Sequence, residues 1–129
     1  MADAANAPEA SFKRTRQSRY KQAIWTMSGV STCVPVLLAN YPDKCFQVFD
    51  GTWGGATVVL EGSLDEKADP SHADHANATW GTLTDTTETA ISTGVDLGPI
   101  TVLQNPMWVR PKSTGGTGTT VYACLGSAK

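Results

Sequence analysis

The chain has 129 residues and a formal net charge of −2, a length that suits one domain with a single core and is cramped for two. Charged residues make up 17% of it, against roughly 25% in an average globular protein, so its surface is polar but weakly charged. Three cysteines without CxxC spacing argue against a disulfide framework, and the longest aliphatic run, residues 36–39, is far too short for a membrane span.

Residues 1–11 are rich in Ala, Asn and Pro and lack apolar periodicity, which predicts no regular structure. They also lack the basic start and apolar stretch of a signal peptide, so a cytosolically made, soluble protein is expected. The next segment, FKRTRQSRYKQAIWT, holds half of the ten basic residues: Lys13, Arg14, Arg16, Arg19 and Lys21. Against Asp3 and Glu9 they give residues 1–28 a charge of +3 and leave −5 on the remainder, the asymmetry of a basic arm on an acidic body. Tyr20, Ala23 and Ile24 would share one face of a helix. The same residues equally suit an extended arm whose Phe12, Tyr20 and Trp25 rings dock on a neighbour. We divide the chain accordingly into an extended basic and aromatic arm, 1–27, and a body, 28–129.

Within the body, residues 30–38 predict one or two strands interrupted by Pro35, which has no N–H for a ladder and so marks an edge or bulge. A short strand over 45–49 precedes the clearest stretch of the chain, FDGTWGGATVVLEGS, residues 49–63. There Asp50-Gly51 reads as a turn, and Ala56, Val58 and Leu60 alternate against Thr57, Val59 and Glu61, so one strand face is wholly apolar. Residues 65–77 form the longest irregular connection, usual for an exposed contact loop. Strands resume over 79–83, 89–92, 100–103 and 107–111. A Gly-rich turn, KSTGGTG, leads to a final strand over 119–125. About eight short antiparallel strands at this spacing predict an all-β fold, a β-sandwich or jelly roll.

No catalytic set of nucleophile, base and stabiliser emerges, so an enzyme is not expected. His72 and His75 in DPSHADH, with Asp65, Asp69 and Asp74 nearby, are metal-ligand types. On a loop their spacing is not fixed, and a solvated or interface loop is preferred to a metal site. The KSTGGTG turn lacks the Lys-Ser/Thr of a phosphate loop and leads into a strand, and Asp85 with Glu88 shows no glycosidase cleft. The three cysteines read as small buried hydrophobes, and Trp53, Trp80 and Trp108 as core aromatics rather than a sugar-stacking platform. Five cations over nine positions are too few to predict nucleic-acid binding.

The series GTWGGATVVLEGS, TWGTLTD and LQNPMWVRPKSTGGTGTTVYACL resembles small β-sandwich virion proteins of tailed bacteriophages, of the head decoration (cement) kind. The resemblance covers residues 47–125 and implies framework roles for residues 51–63, Trp80, Leu83, Asp85, Arg110, Pro111 and 115–118. It also implies a cement protein on the outer surface of the capsid, a dimer or trimer that binds the assembled major capsid protein and stabilises the head. A tail or neck subunit, or a carbohydrate-binding module, is the alternative. The basic arm lies outside the match and the 65–77 stretch departs from it. Those segments are therefore the expected partner-binding regions: Phe12, Lys13, Arg14, Arg16, Arg19, Tyr20, Lys21 and Trp25 on the arm, and Asp69, His72, Asp74 and His75 on the loop. No cofactor, metal or membrane is expected.

Overall fold

The computed structural model describes residues 11–14, 20–38 and 41–128. Eleven strands are present among them: β1 (Ser11–Arg14), β2 (Tyr20–Ser28), β3 (Ser31–Thr32), β4 (Val36–Leu37), β5 (Asp43–Thr52), β6 (Thr57–Ser63), β7 (Gly81–Thr82), β8 (Ser92–Thr93), β9 (Leu97–Thr101), β10 (Trp108–Thr114) and β11 (Thr120–Ala128). They build two antiparallel sheets, one of five strands in the order β1-β2-β11-β5-β9 and one of six mostly shorter strands, smaller in extent, in the order β3-β10-β6-β7 with β4 also on β10 and β8 also on β6. The fold is all-β, a β-sandwich. The two short helical turns, Glu66–Ala68 and His75–Asn77, belong to the long connection after β6.

Strand alternation creates the core. In β6, Val58 and Leu60 are buried while Thr57, Val59 and Glu61 are half-exposed, which is the pattern its sequence predicts. In β11, Val121, Ala123 and Leu125 turn inward, and in β5, Phe46 and Val48 do. Together with Trp25, Met27, Val109, Leu83, Ile91 and Val102 they form one apolar cluster between the sheets. Burying each large apolar side chain stabilises the fold by about 1.5–3 kcal/mol. The proline prediction also holds: β3 and β4 are two-residue pieces on either side of residues 33–35, both pairing with β10 at the edge of the smaller sheet.

Several expectations are corrected. Residues 20–28 are neither helix nor arm but β2, inserted beside β11 with nine residues in register. Trp25, expected to dock on a partner, is wholly buried, and its Nε1 donates to the Val34 carbonyl at 3.0 Å. Ala23, Trp25 and Met27 occupy alternate inward positions, and burying these three outweighs any helical preference. Asp50-Gly51 is not a turn between strands. β5 runs through it, and Asp50 and Gly51 together face the single residue Val121 of β11, a β-bulge with Asp50 at φ 49°. Of the cysteines only Cys33 is buried; Cys124 is half-exposed and Cys45 exposed, because the latter two alternate to the outer face of their strands. Trp53, Trp80 and Trp108 are half-buried rather than core.

The reversal after β5 interlocks with the turn before β11. Thr117 N–H donates to the Gly54 carbonyl at 3.0 Å, and the Thr119 hydroxyl donates to the Trp53 carbonyl at 2.8 Å. Gly54 sits at φ 55° against the Thr117 carbonyl, where any Cβ would collide with that oxygen. The Asp96 carboxylate completes the lock, accepting from Gly51 N–H at 3.0 Å and Trp53 Nε1 at 2.9 Å.

Candidate functional site

The opposite end of the sandwich gathers what the sequence holds in separate segments. Tyr20 at the start of β2 and Asp43 at the start of β5 both pair with Ala128 at the end of β11. On the smaller sheet, Trp108 at the start of β10 lies between Leu37 and Ser63 at the ends of β4 and β6. The connection between β9 and β10 closes this end, and Lys44 anchors it. The Lys44 side chain is 2% exposed, yet its Nζ donates to Asn105 Oδ1 at 2.6 Å and to the Pro42 and Tyr41 carbonyls at 3.1 and 3.4 Å. Burial lowers the pKa of this ammonium below its ordinary value, and the neighbouring Asp43 charge partly opposes that shift.

Beside Asn105 is a shallow cleft of about 370 Å³, lined by residues 62–64, 81–83 and 104–106. Gly62 is what lets its walls meet, because a Cβ there would run into Pro106 and Leu83. Four large apolar side chains stand exposed at this same end: Leu64 at 76%, Leu37, Leu103 and Met107. Six such residues are exposed among those described, so this clustering is not the scatter of a typical surface.

The loop from Ser63 to Gly81 leaves from the cleft and is held in shape by its own side chains. Asp65 accepts from Lys67 N–H at 3.0 Å and from Thr79 N–H at 2.9 Å, and these bonds hold its carboxyl below the usual carboxylate range. Asp69 accepts from the backbone and hydroxyl of Ser71 and is lowered for the same reason. His72 Nδ1 accepts from Asp74 N–H at 2.9 Å, leaving its proton on Nε2 when neutral. His75 Nδ1 lies 2.9 Å from the Lys67 carbonyl, an acceptor, which makes Nδ1 the protonated nitrogen. Each Nδ1 is thus engaged within the loop, and among the described residues no three His, Cys, Asp or Glu side chains converge as a metal site would require.

Of the arm residues, Phe12, Lys13 and Arg14 lie on β1 and Tyr20 and Lys21 at the start of β2, while Arg16 and Arg19 fall outside the described residues. Arg14 pairs with Lys21, so the basic ends of both strands open on the same end of the sandwich as the cleft and the acidic loop. Register therefore brings Arg14, Tyr20 and Lys21 to the end from which the loop leaves, and burial removes Trp25 from the arm set. Sequence reasoning missed Lys44, Asn105 and the exposed leucines; no local motif marks them, since their roles follow from segments distant in the chain.

A second polar cluster lies on the outer face of the smaller sheet. Arg110 of β10 is directly opposite Glu61 of β6, and its Nε donates to Glu61 Oε1 at 3.0 Å. Trp80 lies over the guanidinium, 3.9 Å from its carbon to the ring centroid. The indole Nε1 is buried without a hydrogen-bond partner, so the ring is held by packing and by the cation. Trp53 is at the far end, tied to Asp96, so the three indoles form no common sugar-stacking platform.

No known protein family matches this chain, and no curated protein matches it. Among solved structures, SPBc2 prophage-derived protein YomS is similar to it with a TM-score of 0.55 at 10% sequence identity, over 89% of this chain and all of that one. At such identity the likeness is one of fold.

Proposed function

We propose that this chain is a structural subunit of a phage particle, a decoration protein that seats its cleft end on the assembled major capsid protein and stabilises the head. The fold likeness to a prophage-derived protein supports a phage role. The observation that carries the reading is the convergence on one end of exposed Leu37, Leu64, Leu103 and Met107, an acidic loop and the basic ends of β1 and β2. An apolar centre with a charged rim is the usual anatomy of a protein-binding surface. The rim carries both signs, which fixes orientation on a partner more than it adds affinity. A subunit that binds only the assembled lattice stabilises it by mass action, because disrupting the lattice also forfeits those contacts.

The test is co-sedimentation with expanded empty phage heads. Deleting the whole basic segment is unsuitable, because it removes β2 and with it Trp25 from the core. Single side chains are changed instead: the exposed Leu64→Asp with Met107→Asp, and Lys13→Glu with Arg14→Glu on β1. The apolar pair is expected to abolish binding and the charge pair to make it weaker and less salt-dependent. Equal binding by all forms, or binding to tails and not to heads, would overturn the decoration reading.

A further inference from the structure

The smaller sheet ends at the cleft with an edge that lacks a neighbour. β7 is the last strand of its order, and Thr82 and Gly81 pair with Glu61 and Gly62 of β6. Leu83 N–H donates to the Leu60 carbonyl at 2.8 Å, and the Leu83 carbonyl accepts at 2.9 Å from Ile91, which is itself bonded to Leu60. Both Leu83 groups thus lie on the β6 side, and strand alternation turns those of Thr82 and Thr84 to the other. Thr84 is served there. Its carbonyl accepts from Leu103 N–H at 2.9 Å, and its N–H donates to Gln104 Oε1 at 2.8 Å, a side-chain amide in the place of a strand carbonyl. Past Gln104 the chain crosses to Gly62, where Pro106 lies over the inner face. Thr82 is left on an exposed edge, its N–H and C=O unopposed by any strand among the described residues.

The floor of the cleft beside that edge is bare. Gly62 and Gly81 face each other, and while Pro106 and Leu83 fill the space over Gly62, a Cβ on Gly81 would meet nothing within 4 Å. The lining residues, 62–64, 81–83 and 104–106, carry no charge. Residues 79–83, TWGTL, hold neither the charge nor the proline that commonly protects an edge. We infer that the cleft accepts an extended, uncharged segment of the capsid protein, which pairs with Thr82 as an added strand and lowers one branched apolar side chain over Gly81. Main-chain bonds supply affinity in such a pairing, and the side-chain slot supplies selection. A charged segment is disfavoured, because nothing in the lining would match its charge. Exposed Leu64 in the lining and Leu103 next to it extend the apolar contact. The identity of the donor rests on the docking end proposed above, whereas strand addition itself does not.

Strand addition is measured without phage heads. The probe is the acetylated and amidated peptide Thr-Val-Thr-Val-Thr, titrated into the full isotope-labelled chain. Saturable amide shifts are expected at residues 81–83 and 104–106, and exchange at the Thr82 N–H should slow. Thr82→Pro removes the outward N–H and takes no bond from β6, as prolines on edge strands do. It should weaken the peptide about fivefold, the worth of one hydrogen bond. Gly81→Val fills the open floor and suits a strand better than glycine, so it should keep or raise the unfolding midpoint. The same change should weaken the peptide at least about tenfold. Lost binding with undiminished stability is a result that structural damage does not produce. No shift in the millimolar range would overturn the inference, as would shifts at β1 or β9 instead, or binding indifferent to both variants. On expanded empty heads, Gly81→Val should release the chain. Heads that hold both variants as tightly as the parent would overturn the assignment to the capsid protein. Heads that bind no form, the parent included, while the peptide still binds would sink the capsid reading and leave strand addition standing.

Discussion

The two sheets share one construction rule and differ in what they turn outward. Both bury alternate residues against a common core. On the smaller sheet the outward row holds Glu61 and Arg110 locked together, with side chains 14% and 3% exposed under the Trp80 ring. On the larger sheet the outward rows of the central strands hold thiols, an amide and an aromatic stack, and the exposed Asp43 and Asp50 of β5 stand to either side of them. A charge pair that is mutually satisfied and covered has little left to offer a partner, so it staples β6 to β10. The larger sheet holds its outward rows by ring stacking and by the Gln22–Cys124 bond instead. The same strand geometry thus carries a covered ion pair on one side and uncharged contacts on the other.

The sharpest way to break that contrast is Arg110→Ala. It removes the charged hydrogen-bond partner of the half-exposed Glu61 and is expected to cost about 1.5–3 kcal/mol of unfolding free energy, read by urea titration. A loss below about 1 kcal/mol would mean that the pair behaves like an exposed surface bridge and that the two faces differ less than described. A smaller effect, about 1–2 kcal/mol, is expected of Trp80→Ala. Its cost should shrink when Arg110 is already absent, and a double-mutant cycle reads that coupling.

The smallest effect is local and depends on pH. Asp65, Asp69 and Asp85 are lowered by hydrogen bonds from the turns they hold, chiefly from Lys67, Ser71 and Thr87 respectively. A carboxyl with a depressed folded pKa contributes stability that is fully present above its unfolded value of 3.8 and is lost as pH falls through the folded value. Hydrogen exchange at the amides of Lys67, Ser71, Thr79 and Thr87 should therefore accelerate below about pH 3.8 before that of β10 or β11 does. Simultaneous opening of strands and loops would show that these carboxylates hold the whole sandwich.

How far the sequence disclosed all this depends on whether the signal was local. The β6 alternation is a local pattern, and its burial followed it residue by residue. The β2 alternation of Ala23, Trp25 and Met27 is just as regular, but Lys and Arg precede it, and the spacing of Tyr20, Ala23 and Ile24 equally suits a helix. Only pairing with β11 settles it. Asp50-Gly51 misled for a related reason: the dipeptide favours turns and bulges alike, and the choice lies in β11 opposing two residues with one. Lys44 could not be read at all, because the Asn105 that shelters its ammonium is 61 residues away. Arg110 and Glu61 were marked as framework by resemblance, but their pairing is a matter of register, 49 residues apart.

The interlock between the Trp53–Gly54 reversal and Thr117 also bears on where foreign sequence can be carried. A Gly-rich surface stretch such as KSTGGTG invites peptide insertion, as exposed loop tips of small residues usually do. Here splicing would part Thr117 from the Gly54 carbonyl and Thr119 from the Trp53 carbonyl, loosening two strand ends at once. Residues 86–88 form an exposed tip closed beneath by Asp85, whose carboxylate accepts from the Thr87 and Thr89 amides. A cargo peptide entering beyond Asp85 meets a turn held from within residues 85–89, by the Asp85 carboxylate and by its own backbone bonds, and the sandwich can display it without unlocking either sheet.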